Sequence, residues 1–245
     1  MSEFQKKNID KHFFETLYAN KEDPWRILSD KIQIENSIIR LNIIQQWLGA
    51  LKEKTLLDAG CGEGITTQYF TERARLTIGI DVSPTAAARA KKNNEKSQFV
   101  ACDLEHLPFR NEVFDAVLCL EVLYLCEEPK KVIEELNRSL KFSGPFILSI
   151  NNKLSLWRII RRNFKSSAFT LFSSFELVNM LREHKFAIKA KKGIIYCIPP
   201  LVRSKKFRQH LLRPLAYSIP WFADFFLVIA LKNGSSQQSR VATGG

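Results

Sequence analysis

Between Thr55 and Leu231 the apolar positions change period repeatedly, from short continuous runs to helical spacing and back. "TLLDA", "LTIGID", "SQFVAC", "FDAVLCL" and "PFILSI" are apolar runs of strand length. Between them, "ITTQYFTERA", "PTAAARAKKN" and "PKKVIEELNRSL" read as helices. Strands alternating with helices predict a parallel sheet covered on both faces. Ser83 followed by Pro84 marks one helix start, the serine as N-cap and the proline at the first helical position. Ser173 and Glu176 form a capping-box pattern ahead of "LVNMLREH". "FAIKAKK" alternates as a half-exposed strand, and "FFLVIAL" has the length of a buried one. Upstream, helical spacing over Ile9–Tyr18 and Ile32–Leu51 predicts two helices separated by "NKEDPWRI". The second would carry Ile34, Ile38, Leu41, Ile44 and Leu48 on one face.

Composition narrows the class. A chain of 245 residues suits one sizeable α/β domain. No apolar run reaches the roughly 18 residues of a membrane span, and "IPWFADFFLVIAL" is short and interrupted by Asp224. "MSEFQKKNID" has no apolar core of a signal peptide, and the closing "NGSSQQSRVATGG" reads as a disordered tail. The five cysteines are scattered without a C-x-x-C pair, and the four histidines show no ligand spacing. That pattern points to a reducing cytoplasm and to no metal site. Net charge is +12, unevenly distributed: residues 1–150 carry −2 and residues 151–245 carry +14.

The candidate chemistry begins at "TLLDAGCGEGITTQYF", where three glycines separate an apolar run from a helical one. Strand–glycine loop–helix junctions bind nucleotide-like cofactors in α/β folds. A triphosphate loop requires a lysine after the last glycine, and none stands here. The dinucleotide fingerprint requires glycine at its sixth position, which is Ile65 here. What remains is an acidic residue followed by G-x-G-x-G: Asp58, Gly60, Gly62 and Gly64. Asp81 closes the next strand, where a carboxylate can accept both ribose hydroxyls. Asp103 stands just after the third strand, positioned to accept from an adenine amino group.

This combination resembles the class I S-adenosylmethionine-dependent methyltransferases, over roughly Leu56 to Leu231. The resemblance implies a Rossmann-like, seven-stranded, mostly parallel α/β sheet of order 3-2-1-4-5-7-6, with the last strand antiparallel. It divides the chain into an N-terminal helical cap (1–50), the methyltransferase domain (51–232) and a tail (233–245). It also implies S-adenosylmethionine as cofactor, with Asp58, Gly60, Cys61 and Gly62 at its methionine end. Asp81 and Val82 would hold the ribose, Asp103 and Leu104 the adenine, and Leu120 and Glu121 the methionyl side. The family's "LKPGG" is replaced by "LKFSGPF", a change in a structural turn.

The acceptor is less constrained. Glu121 and Tyr124, just after the fourth strand, are the candidate catalytic groups, with His106 a further possible base. "LYANKEDPWRI" with "LEVLYL" is similar to nodulation-type sugar-amine N-methyltransferases, which would fold Tyr18 and Trp25 over the cofactor. "SSFELVNMLREHKF", Ser173 to Phe186, is similar to ubiquinone/menaquinone-type methyltransferases. "NKLSLWRIIRRNFK" interleaves Leu154, Trp157, Ile160 and Phe164 with Arg158, Arg161, Arg162 and Lys165, and "RSKKFRQHLLRP" repeats that composition. Basic amphipathic segments of this kind suit an anionic membrane surface. The expectation is therefore a small-molecule or lipid-like acceptor met by a cytoplasmic enzyme with peripheral membrane contact. A soluble amino sugar or small amine is the alternative, and a cofactor-binding regulator without catalysis the alternative of another class. Nucleic acid ranks last, because the chain has no RNA-binding appendage and no amine-methylation motif of that kind at strand four.

Overall fold

The computed structural model describes residues 11–25, 29–155, 158–159, 171–194 and 208–233. Most of the basic run from Leu156 to Lys165, the stretch from Arg203 to Phe207 and the tail after Asn233 lie outside them.

Seven strands form one sheet of order β3-β2-β1-β4-β5-β7-β6. They are β1 (Thr55–Ala59), β2 (Leu76–Asp81), β3 (Gln98–Ala101), β4 (Ala116–Leu120), β5 (Pro145–Asn151), β6 (Phe186–Ile194) and β7 (Phe225–Lys232). β1 to β5 run parallel, and β7 lies antiparallel between β5 and β6. Neighbouring residues on each central strand serve opposite faces, as a two-residue side-chain period requires. Leu57, Val117, Phe146 and Phe226 join one apolar core with Val132, Ile133 and Leu136 of helix α5 (Pro129–Ser139). Leu56, Leu118, Ile147 and Leu227 join the other, with Phe70 of α3 (Ile65–Thr71). β6 is a sheet edge, and the lysines Lys189, Lys191 and Lys192 along it discourage pairing with another chain.

The helix starts obey their sequence signals. Ser83 caps α4 (Pro84–Asn93) by accepting from the Ala86 amide. Ser173 and Glu176 complete a reciprocal capping box on α6 (Ser174–Glu183). The upstream helices are α1 (Lys11–Asn20) and α2 (Lys31–Leu48). α2 stops three residues earlier than its apolar spacing suggests, at Gly49, whose φ of 64° is the left-handed conformation that terminates helices. Leu41, Ile44 and Leu48 enter the second core, whereas Ile34 and Ile38 stay exposed, Ile38 at 52%. The apolar face is split because the first turns of α2 overhang the carboxyl edge of the sheet. There Gln33, Ser37 and Arg40 face a cavity instead of packing on a strand. After a π turn (Arg208–Leu212), the short α7 (Arg213–Ser218) leads back to β7.

Candidate active site

The cavity, about 300 Å³, opens at the carboxyl ends of β1, β2 and β4 and is roofed by α1 and α2. Its floor is the glycine loop. Gly60 and Gly62 have φ of 76° and 53°, a conformation costly for any residue with a Cβ. A Cβ on Gly60 would stand 2.3 Å from Val122, and one on Gly62 would stand 2.8 Å from the Tyr18 hydroxyl. The glycines are thus required by the backbone and by protein neighbours as close as any ligand would be.

Three carboxylates stand along the floor. Asp58, next to last in β1, is almost fully buried and accepts from Thr67 Oγ1 at 2.6 Å. Burial pushes its carboxyl up to about 6, opposed by the Thr67 hydrogen bond and by the charge of Arg40. Asp81 ends β2 and accepts from the Gly62 amide at 2.9 Å and the Ser83 amide at 3.0 Å. Burial raises it too, against those backbone donors. Asp103 is engaged by Lys11 Nζ at 2.5 Å and by His106 Nδ1 at 3.4 Å. Burial works upward on it, and the hydrogen bonds from Lys11, the Glu105 amide and His106 together outweigh that and hold it below the usual range.

α1 is fastened over this floor. Glu15 accepts from Ser83 Oγ at 2.5 Å, from the Thr85 amide at 3.2 Å and from the Thr85 hydroxyl. Tyr18, buried, accepts from Trp25 Nε1 at 2.9 Å. The two aromatics therefore brace one another above Gly62.

At the other end, Glu121 has a φ of 61°, a left-handed conformation unusual for glutamate. Its carboxylate accepts from Ser149 Oγ at 2.7 Å and from the Tyr124 hydroxyl at 3.4 Å. Burial raises Glu121, while the Arg40 charge works against it. Burial, with the Glu121 charge beside it, raises the Tyr124 phenol as well. Arg158 donates to Asn151 Oδ1 at 3.2 Å close behind. Arg40 itself lines the cavity with its Nε buried and lacking a hydrogen-bond partner.

Every residue that the sequence nominates for the site, Gly64 and His106 apart, lines this one cavity. Asp58, Gly60, Cys61 and Gly62 come from β1 and its loop; Asp81, Val82, Asp103 and Leu104 come from the ends of β2 and β3. Leu120, Glu121 and Tyr124 come from β4 and its exit, and Tyr18 and Trp25 descend from the N-terminal segment. The ring of His106 is exposed and lies 2.7 Å from Lys131 Nζ. Lys11, Gln33, Ser37, Arg40, Asn151 and Phe225, which the sequence does not nominate, also line the cavity. Only an unexpected cation near the apolar face of α2 hints at Arg40.

Comparison with known proteins agrees with this geometry. Residues 57–148 match a family described as a methyltransferase domain. An uncharacterized protein of Methanocaldococcus jannaschii is 33% identical over 183 residues, covering 72% of this chain and 83% of that protein. A ubiquinone biosynthesis O-methyltransferase of Coxiella burnetii is 28% identical over 147 residues, and the match spans 58% of each chain. Among solved structures, the N-methyltransferase NodS from Bradyrhizobium japonicum, in complex with S-adenosylhomocysteine, superposes with a TM-score of 0.67 at 18% identity. That superposition covers 93% of this chain and 100% of NodS. The sheet order, the glycine loop and these matches define a class of enzyme, the methyltransferases that draw their methyl group from S-adenosylmethionine. This chain belongs to the class I S-adenosylmethionine-dependent methyltransferases.

Proposed function

We propose that the chain transfers a methyl group to a small-molecule or lipid-like acceptor, with the cofactor lying along the floor from Asp103 to Asp58. The observation that carries this reading is the row of Asp103, Asp81 and Asp58 on three consecutive strand ends beneath one cavity. Bound S-adenosylmethionine supplies an activated methyl group on a sulfonium. Asp103 and Leu104 would hold the adenine, Lys11 giving way or sharing its carboxylate. Asp81 and Val82 would hold the ribose, and Gly60, Cys61, Gly62 and Leu120 would flank the methionyl chain. Among the described residues, Lys11 and Arg40 are the two cations lining the cavity, and Lys11 belongs to the Asp103 end. Arg40 is therefore the group suited to the α-carboxylate. Tyr18 and Trp25 would close over the cofactor and exclude water. Glu121 and Tyr124 stand where the acceptor must arrive, and orientation there supplies much of the acceleration.

Membrane contact is the finer part of the reading. Leu211, Leu215 and Ile219, spaced by four residues, are 53%, 38% and 46% exposed within the segment that carries the basic excess. Each basic residue near an anionic leaflet adds on the order of 1 kcal/mol, screened by salt. Sedimentation with anionic but not neutral vesicles, weakened by salt, is expected; equal recovery in the supernatant with both would remove this part. The enzymatic reading is tested by calorimetry with S-adenosylmethionine and NAD, then by incubation with methyl-labelled cofactor. Binding of S-adenosylmethionine and not NAD, with label passing to an acceptor, is expected. Binding without turnover on any acceptor would favour a regulator without catalysis.

A further inference from the structure

The chain carries a net charge of +12, yet the described residues that line its cavity have the opposite sign. Among the described residues, eight carboxylates line it, against the two cations Lys11 and Arg40. Several carboxylates are already engaged: Asp103 with Lys11, Glu63 with Arg89 at 2.9 Å, and Glu105 with the Glu128 amide at 3.0 Å. On the proposed reading, Asp81 and Asp58 belong to the cofactor, and Arg40 is committed to its carboxylate. Of the other three, Asp23 accepts from the Ser29 amide at 2.8 Å and Glu127 is exposed to solvent, which leaves Glu121 facing the acceptor, with the neutral donors Ser149 and Tyr124 on its oxygens. Arg158, behind Asn151, is not among the residues that line the cavity. An acceptor bearing a carboxylate or phosphate would meet an anion there, and like charges this close disfavour binding strongly. A neutral hydroxyl would gain little from a carboxylate already holding two donors. An ammonium group would complete it.

We infer that the acceptor is an amine, docked as its ammonium against the Glu121 carboxylate. This rests on the reading of the cavity as a methyltransferase site. Glu121 accepts one proton from the ammonium and leaves a neutral nitrogen with its lone pair facing the methyl carbon. That lone pair forms the new N–C bond while the C–S bond breaks, its electron pair remaining on sulfur. The products are a methylammonium and the neutral thioether S-adenosylhomocysteine, and the proton on Glu121 leaves to water. Glu121 is the catalytic residue in this scheme. Ser149 and Tyr124 are positioning residues, which fix the carboxylate in the cavity while its backbone holds a left-handed turn. Asn151 and Phe225, at the ends of β5 and β7, provide a polar and an apolar wall.

The test uses matched probes on the full-length chain saturated with S-adenosylhomocysteine: benzylamine, benzyl alcohol and benzoate, then glucosamine, glucose and gluconate. Calorimetry should show the amine of at least one set binding tenfold or more tighter than its alcohol and acid. Glu121→Gln should abolish that preference, and Glu121→Asp should restore part of it. Turnover with methyl-labelled cofactor should appear on amines and not on alcohols. Preference for the acid or alcohol in both sets, or an amine preference that survives Glu121→Gln, overturns the inference. Failure of S-adenosylhomocysteine to bind at all would instead remove the cofactor reading beneath it, and the inference with it.

Discussion

Asp81 concentrates several demands on one side chain. It ends a strand, is shielded from water, and takes backbone amides both from Gly62 in the glycine loop and from Ser83 at the start of α4. A hydrogen bond to a charged group contributes about 1.5–3 kcal/mol, so Asp81→Ala should weaken S-adenosylmethionine binding by roughly tenfold to over a hundredfold. Calorimetry showing unchanged affinity would remove Asp81 from the proposed site. Asp58 makes a different prediction, because burial raises its carboxyl to about 6. Between its unfolded value near 4 and that figure, the folded state binds the proton more tightly, so this group's contribution to stability falls as pH rises through the window. The loss amounts to roughly 3 kcal/mol and is complete above about pH 6. Asp58→Asn should therefore raise the melting temperature at pH 7.5 and leave it nearly unchanged at pH 4. A variant less stable than the parent at pH 7.5 would contradict this.

At the scale of elements, α1 is the piece to watch. Its attachment depends on a few polar contacts: Glu15 to Ser83 and Thr85 at the start of α4, and Lys11 to Asp103. Leu17 and Tyr18 are its buried residues. Glu15 is held below the ordinary glutamate range by the Ser83 and Thr85 hydrogen bonds, with burial working against them. The attachment is thus complete at neutral pH and is lost as pH falls through that depressed value. Glu15→Ala should speed amide exchange across α1 at neutral pH with little change in the melting temperature of the sheet. On the proposed reading it should also weaken cofactor binding severalfold, because Tyr18 loses its support over Gly62. Unchanged exchange in α1 would show that apolar packing alone holds this helix.

For the whole molecule, stability and function draw on different parts of one sheet, its centre and its carboxyl edge. The strand order places β5 between β4 and β7, with Phe146 and Ile147 serving opposite cores. Phe146 is 1% exposed, and Phe146→Ala should destabilise the fold by about 3–5 kcal/mol through lost burial and a cavity. Urea unfolding would read this as a lower midpoint, and a shift below about 1 kcal/mol would contradict the central role given to β5. The carboxyl edge, by contrast, gathers Asp58, Asp81 and Glu121, all raised by burial. A cationic ligand relieves that cost, so S-adenosylmethionine should raise the melting temperature more at pH 7.5 than at pH 5. A larger rise at pH 5 would contradict a cavity organised to receive positive charge.

The sequence by itself determined the order of strands and helices from Thr55 onward, because buried strands and amphipathic helices impose different local periods that survive without tertiary information. It also determined the capping of α4 and α6, which depends on residues within one turn. The Asp58–Gly60–Gly62 loop, Asp81 and Asp103 were legible because in a parallel α/β sheet every strand ends at the same edge. Ile34 and Ile38 carry a core pattern and are nonetheless exposed, and nothing local marks Lys11 and Asn151 as cavity residues. Which part of an amphipathic face reaches the sheet depends on where the helix crosses it, and no local period encodes that. The same holds for Lys11 on Asp103, where 92 positions of chain separate the partners. The sign of the cavity was hidden too: a chain with +12 overall surrounds a pocket whose charged lining, among the described residues, is mainly carboxylate, because only folding decides which charges turn inward.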